Sequence, residues 1–91
     1  MIPKLSDSDY FTALRAAYDA KAPDTVMLFR VGDFWEALWD DAGKVAAALG
    51  IPLTARAEIP MAGFARWQLD AYVSKLTAAG WKVATCEEVP R

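Results

Sequence analysis

The chain has 91 residues, of which 55% are hydrophobic, and a formal net charge of −2. This length suits one small domain with one core, and the apolar content excludes an intrinsically disordered chain. The sequence has one cysteine and no histidine, which excludes an internal disulfide and leaves no ligand set for zinc. We therefore expect a single domain over residues 1–91 that holds no metal and no cofactor.

Neither a membrane span nor a secretion signal is visible. No stretch approaches the roughly 20 apolar residues of a membrane-spanning helix, and the N-terminal segment MIPKLSDSD lacks the apolar region of a signal peptide. We expect a cytoplasmic protein with no membrane partner. The ten basic side chains, against twelve acidic ones, form no basic patch. Any DNA binding by this chain alone should therefore be weak, or should need a partner that supplies positive charge.

The first third of the chain predicts a helix followed by a strand. The segment SDSDYFTALRAAYDAKAPD has capping residues at Ser6 and Ser8, apolar residues at helical spacing and an end before Pro23, as expected for an amphipathic helix. The segment TVMLFRV, residues 25–31, is an almost unbroken apolar run closed by a Gly-Asp pair. Such a run is typical of a strand that is buried on both faces.

The later elements alternate helices with short extended segments. DDAGKVAAALG predicts a helix with acidic residues in its first turn and Gly50 as its C-terminal cap. IPLTAR and EIPMAG predict two short strands, and RWQLDAYVSKLTAAG predicts a third helix closed by Gly80. For the mostly apolar WKVATCEEV we expect a central, buried strand. The predicted fold class is α+β (α/β-like), with a small mixed sheet and about three packed helices.

The stretch from residue 33 to residue 49 admits two structures. Its apolar residues fit one continuous helical face, with Asp33 and Glu36 as a capping-box pair. Alternatively, Gly32 and Asp33 turn a hairpin and residues 34–38 form a strand. In a helix Phe34 and Glu36 would lie about 200° apart, whereas the period of two in a strand places them on one face. The pattern alone leaves both structures open, and only the strand makes a joint site.

Five short motifs occur in order along the chain. They are Gly-Asp-Phe-Trp-Glu at residues 32–36, an acidic-started helix ending in Leu-Gly-Ile, Leu-Thr-Ala-Arg at residues 53–56, Pro-Met-Ala-Gly at residues 60–63, and Val-Ala-Thr-Cys-Glu at residues 83–87. In this order they resemble the N-terminal mismatch-recognition domain of the DNA mismatch-repair family MutS, with Trp35 where the family has tyrosine. The resemblance spans nearly the whole chain and favours the strand for residues 34–38.

The resemblance implies roles for particular residues. In the family, the phenylalanine of a Phe-x-Glu pair wedges into the minor groove and stacks on a mispaired or unpaired base, and the glutamate makes a hydrogen bond to that base. Carried over, Phe34 is the wedge, Glu36 is the base contact, and Met61 is a weaker candidate for a minor-groove contact. Outside the matching motifs, we also expect Arg66 to contact DNA. A poorly stacked mismatch is kinked by an apolar wedge at lower cost than a paired step. Phe34 and Glu36 are both expected to project into water.

The chain also departs from the family pattern. No Pro-x-His segment follows Pro-Met-Ala-Gly, and the connection between Arg56 and Pro60 is shorter than the usual family loop. No Walker motif GxxxxGK[ST] is present, so we expect no ATP hydrolysis and no enzyme activity. The expected partners are double-stranded DNA with mismatched or unpaired bases, bound weakly, and a larger protein that supplies clamp or ATPase domains.

Each of these residues also has a structural alternative. Phe34 is a candidate core aromatic, and Glu36 a candidate solvated carboxylate or helix cap. The acidic group Asp33, Glu36, Asp40 and Asp41 would suit a divalent metal and hence a nuclease. The four tryptophans are expected to pack rather than to stack on bases. The alternative function is a protein-interaction or scaffold module that keeps the fold without binding mismatches, which the acidic composition favours.

Overall fold

The computed structural model describes residues 7–87, with side chains described from Tyr10 onward. A five-stranded mixed sheet carries helices on both faces, which confirms the predicted fold class. The N-cap predicted at Ser6 lies outside the described residues, as does the side chain of Ser8. In chain order the elements are α1 (Asp7–Asp19), β1 (Thr25–Val31), β2 (Phe34–Leu38), α2 (Asp40–Leu49), β3 (Thr54–Arg56), β4 (Ile59–Ala65), a 3-10 turn (Arg66–Gln68), α3 (Leu69–Ala78) and β5 (Lys82–Cys86).

The strands lie in the order β3-β4-β2-β1-β5. The pairs β1–β2, β2–β4 and β4–β3 are antiparallel, and β5 runs parallel to β1. The four consecutive residues Val26 to Phe29 of β1 are buried, as the apolar run predicted. β1 is buried on both faces because it lies inside the sheet, between β2 and β5, with helices packed on either side.

The final strand is not central, and the prediction that it is buried was wrong. β5 lies at one edge of the sheet, where Lys82 and Thr85 are exposed and the other three residues are partly buried. Within the described part of the chain it pairs with β1 alone. An apolar run shows that a strand is covered to some extent, but strand order follows from the connections. Here α3 carries the chain across the sheet and returns it parallel to β1.

The stretch with two predicted structures forms a hairpin and then a helix. Gly32 (φ +59°) and Asp33 make the two-residue connection between β1 and β2, and β2 then pairs with β1 on one edge and β4 on the other. Trp39, with φ 55°, breaks any continuous helix, and its N–H donates to the Pro60 carbonyl at 3.0 Å. Because both edges of β2 have strand partners, its backbone groups are satisfied without helical hydrogen bonds.

The sheet buries a separate core on each face. Trp35 and Ala37 of β2 join the core under α2 and α3, whereas Leu38 joins the core under α1. The buried residues under α2 and α3 are Val26, Leu28, Trp35, Ala37, Ala42, Val45, Ala46, Leu49, Ala62, Phe64 and Leu76. Those under α1 are Tyr10, Leu14, Tyr18, Met27, Phe29 and Leu38. No helix between residues 7 and 87 combines the length and the apolar character needed to cross a membrane.

A buried carboxylate ties both helical layers to the sheet. Asp41, in the first turn of α2, is fully buried and accepts a hydrogen bond from the Met27 N–H at 2.9 Å. Its other oxygen lies 3.3 Å from the almost fully buried ammonium group of Lys21, which follows α1, and 3.8 Å from that of Lys44. The Lys21 ammonium also donates to the Thr25 carbonyl at 2.7 Å. This arrangement joins the end of α1, the start of β1 and the start of α2.

We expect Asp41→Ala to destabilise the domain by about 3 kcal/mol, because breaking a buried ion pair leaves a buried charge without its partner. The adjacent Asp40, which is exposed in the same helical turn, is the matched control. Asp40→Ala should cost less than about 1 kcal/mol, the value of an exposed charge at a helix N-terminus. Urea unfolding followed by circular dichroism measures both changes, and equal effects would contradict the role given to Asp41.

A strained two-residue turn joins β3 to β4. Ala57 and Glu58 form this turn with φ values of 48° and 67°, so both occupy the left-handed region. Positive φ at both central positions is the pattern of a type I′ hairpin, which favours asparagine and glycine. The unusually short connection between Arg56 and Pro60 is therefore a tight hairpin turn built from residues that disfavour it.

The double change Ala57→Asn with Glu58→Gly should raise the free energy of unfolding by about 1 kcal/mol, since a left-handed backbone costs roughly that much for an ordinary residue. Chemical denaturation of the double variant beside the unchanged chain measures the effect. A lower midpoint would show that the turn is not strained.

Candidate nucleic-acid interface

Phe34 and Glu36 lie on the same face of the sheet, as only the strand structure allows. Leu38, two residues further on, is covered by α1, but Phe34 at the start of β2 lies beyond that cover and is 54% exposed. A phenylalanine with half of its surface exposed is not part of a hydrophobic core. The strand prediction for residues 34–38 is thus confirmed, and the core alternative for Phe34 is excluded.

Glu36 differs from what was expected of it. It is only 7% exposed, and the Arg56 guanidinium donates from Nη1 to Glu36 Oε1 at 2.9 Å. The prediction that both side chains project into water is therefore right for Phe34 and wrong for Glu36, which is also neither solvated nor a helix cap. Arg56 lies 20 residues away in the chain, and the sheet brings it close, so local patterns do not reveal the pairing.

An open cavity of about 350 Å³ lies on this face of the sheet. Most of its surface is apolar, and among the described residues that line it Glu36 is the acidic one. The lining residues are Phe34, Glu36, Pro52, Thr54, Met61 and Gly63. Three of the four residues predicted from the sequence to contact DNA, Phe34, Glu36 and Met61, thus line a single cavity. The exposed Phe34 ring and the buried Glu36 carboxylate occupy neighbouring positions on one face of β2.

The fourth residue, Arg66, lies outside the cavity but close to the Phe34 end of β2. Its N–H donates to the Asp33 carbonyl at 2.8 Å, and its Nε lies 3.4 Å from Asp33 Oδ1. Both side chains are exposed, so this ion pair is worth less than about 1 kcal/mol and readily exchanges partners. Arg66 is therefore an accessible cation in direct contact with Asp33 of the turn that precedes Phe34.

The four carboxylates that the sequence grouped together are separated in the fold. Glu36 pairs with Arg56 at the cavity, Asp33 pairs with Arg66 at the hairpin, Asp41 is buried against the backbone of β1, and Asp40 is exposed at the start of α2. Among the side chains described, from Tyr10 to Glu87, no three His, Cys, Asp or Glu residues are placed to hold a metal ion. The geometry of the described residues does not support the metal-dependent alternative.

One tryptophan does not pack as predicted. Trp35 is buried under α2 and α3, whereas Trp67 in the 3-10 turn is 77% exposed. Leu53, which precedes β3, is also an exposed apolar side chain, at 56%. Helical spacing does not distinguish a core tryptophan from one on the opposite face, so this difference becomes visible only in the packed structure.

Sequence reasoning missed four residues of the cavity and its wall. Arg56 and Gly63 stood in the motifs Leu-Thr-Ala-Arg and Pro-Met-Ala-Gly but received no role, and Pro52 and Thr54 received none either. Gly63 lies directly opposite Glu36 in the β2–β4 pair. A β-carbon at Gly63 would lie 3.4 Å from Glu36 Cγ and 3.3 Å from the Trp35 carbonyl oxygen. The glycine therefore leaves room for the glutamate side chain. Its presence in the Pro-Met-Ala-Gly motif was the sequence feature that could have indicated this close approach.

Known proteins resemble this chain over most of its length. The family model of MutS domain I matches residues 12–91. The DNA mismatch repair protein MutS of Chlorobium limicola is 48% identical over 88 residues, which cover 93% of this chain and 10% of that protein. The MutS proteins of Fervidobacterium nodosum and Caulobacter vibrioides are 51% and 49% identical over 69 and 75 residues, which cover 76% and 77% of this chain and 8% of each relative.

The chain therefore spans about a tenth of the length of the curated relatives it matches. The match extends from α1 through the last described strand, and it includes the Phe-x-Glu strand and both hairpins that shape the cavity. On this evidence the chain belongs to the MutS domain I family.

Proposed function

We propose that this domain binds double-stranded DNA at mispaired or unpaired bases, with Phe34 as an apolar wedge and Glu36 as the contact to the displaced base. The observation that carries the proposal is the pairing of an exposed ring with a carboxylate at the wall of an open cavity, both on one face of one strand. Family membership supports it, since the relatives are DNA mismatch repair proteins.

The position of Phe34 suits a wedge. The ring stands at the end of β2 that follows the Gly32 turn, beyond the cover of α1, so its exposed half is free to enter a groove. An inserted ring partly unstacks a base step and kinks the duplex, and this costs less where the bases are already poorly paired. Selectivity then comes from the deformability of the lesion and needs no reading of sequence.

The cavity beside the ring suits a base that leaves the stack. Its volume of about 350 Å³ is of the size that holds small ligands, and its mostly apolar lining, which includes Glu36 and Thr54, offers stacking contacts and hydrogen-bonding groups. Met61 contributes a flexible apolar side chain to this lining. An ionised carboxylate accepts hydrogen bonds from the N–H groups of a base edge.

The charge of the domain predicts weak binding on its own. The net charge is −2, and Arg66 beside the hairpin is the cation best placed to exchange its carboxylate partner for a phosphate. Affinity for duplex DNA depends largely on neutralising phosphates. We propose that a larger protein in the cytoplasm supplies those contacts, and any ATPase, while this domain supplies lesion recognition and no catalysis of its own.

The alternative function is a protein-interaction module. Trp67 and Leu53 are exposed apolar side chains, and exposed tryptophan is enriched at protein interfaces. This alternative makes no use of the Phe34–Glu36 pair, so the two functions differ in their dependence on that strand.

Phe34→Ala should weaken binding to a mismatched duplex by about tenfold or more, because base–aromatic stacking is worth roughly 1–3 kcal/mol. Binding to the matched duplex should change by less than about twofold, since phosphate contacts are unaffected. Fluorescence anisotropy at low salt, with duplexes that differ at one base pair, measures both affinities. Leu53→Ala is the matched control, because it removes an equally exposed apolar side chain outside the cavity lining and should leave both affinities unchanged.

Two results would contradict the proposal. If the unchanged chain binds matched and mismatched duplexes equally at low ionic strength, lesion recognition is wrong. If Leu53→Ala or Trp67→Ala abolishes binding to another protein while Phe34→Ala has no effect on any ligand, the interaction-module alternative replaces it.

Gly63→Ala should reduce mismatch affinity several-fold, because the added methyl group contacts Glu36 Cγ and the Trp35 carbonyl and displaces the glutamate side chain. The fold should survive, with a change in stability of about 1 kcal/mol or less, since the required shift is a few tenths of an ångström. Gly43→Ala in α2, where a β-carbon has no neighbour within 4 Å, is the control. It should keep the affinity and stabilise the helix by about 0.5–1 kcal/mol. Equal DNA affinity in the two variants would contradict the role of Gly63.

A further inference from the structure

The ion pair between Arg56 and Glu36 spans the width of three strands. Arg56 ends β3, Glu36 lies in β2, and β4 runs between them in the sheet. The guanidinium group must therefore cross over β4 to reach Oε1 at 2.9 Å. Gly63, which lacks a side chain, is the β4 residue directly opposite Glu36. The arrangement brings the tip of a long side chain from the tight β3–β4 hairpin to the wall of the cavity.

The burial of Glu36 makes this partner important. A carboxylate that is 7% exposed has lost most of its hydration, and a buried charge is tolerated when an opposite charge and hydrogen bonds replace the water. The Arg56 side chain retains about 30% of its exposure, so the pair sits at the cavity surface and not in the core. Loss of the guanidinium would remove one hydrogen bond and one opposite charge from this buried carboxylate, and would thereby loosen its position in the cavity wall.

The same pair removes a charge that DNA would repel. An isolated carboxylate close to phosphates opposes binding of any duplex, and the repulsion is strong at short range in a partly buried site. With Arg56 bound, the pair carries no net charge. A carboxylate has about four acceptor sites on its two oxygens, so the hydrogen bond from Arg56 is compatible with a further one from a base.

We propose that Arg56 is a positioning residue for lesion recognition, which holds the Glu36 carboxylate in the cavity wall and cancels its charge toward the phosphates. This inference rests on the proposed function of Glu36 as the base contact. Arg56 acts through Glu36 and need not itself touch the DNA. It thereby sets how strongly the domain distinguishes mismatched from matched duplex.

The test is a double-mutant cycle of Arg56→Gln and Glu36→Gln in the 91-residue chain, with matched and mismatched duplexes as the ligands. The measured quantity is the ratio of the matched to the mismatched Kd. We expect each single variant to lower this ratio by about tenfold, the effect of losing one hydrogen bond to a charged group. The double variant should lower it no further than Glu36→Gln alone, because Arg56 then has no carboxylate to position.

Two further variants separate positioning from general effects. Arg56→Lys keeps the charge and loses the planar fork of the guanidinium. Its ratio of matched to mismatched Kd should therefore lie between those of Arg56→Gln and the unchanged chain. It also provides a test if Arg56→Gln folds poorly. Arg15→Gln on α1 changes the net charge equally, and the Arg15 side chain packs against Tyr18 and Trp39, away from the cavity lining. It should leave the ratio unchanged.

Three results would overturn the proposal. Equal weakening of both duplexes by Arg56→Gln, also in the Glu36→Gln background, would make Arg56 a phosphate contact. A higher ratio in Arg56→Gln would make it a competitor of the base for the carboxylate. An Arg56→Lys variant that folds, as shown by its thermal unfolding, and recovers no more of the ratio than Arg56→Gln would remove the positioning role. Failure of the proposed function is distinct, because then the unchanged chain has a ratio of one and Phe34→Ala does not alter it.

Discussion

The candidate site depends on the pairing of β2 along both of its edges. With β1 on one side and β4 on the other, residues 34–38 are held extended, and the strand period of two places Phe34 and Glu36 on one face. A helix over the same residues would separate the two side chains by about 200° and abolish any shared site. The left-handed backbone at Trp39 then ends the strand and lets α2 begin at Asp40.

The two faces of the sheet are covered to different extents. Under α2 and α3 the sheet is covered by a continuous apolar core, which the Asp41–Lys21 pair joins to α1. On the opposite face α1 covers Leu38 but leaves the region of Phe34 open. The cavity lies on this face, and Pro52 in the connection between α2 and β3 forms part of its wall. The β3–β4 hairpin closes one side of it and delivers Arg56 to Glu36.

Local patterns predicted most elements because their signals lie within a few residues of each other. The unbroken apolar run of β1, the acidic first turn of α2 and the capping position of Gly50 all act at short range. The edge position of β5 and the exposure of Trp67 were not predictable in this way. Each depends on which surface another element covers, and this is decided between residues that are distant in the chain.

The sequence by itself determined the fold class, the family resemblance and the candidate set of Phe34, Glu36, Met61 and Arg66, because ordered motifs and apolar periodicity are properties of the chain. Only the tertiary structure decided that the ring is exposed while the acid is buried and paired with Arg56. The physical reason is that burial and ion pairing depend on distances through space. Strand β4 lies between β2 and β3, and Gly63 on β4 leaves room for the Glu36 side chain, whose carboxylate the Arg56 guanidinium reaches at 2.9 Å.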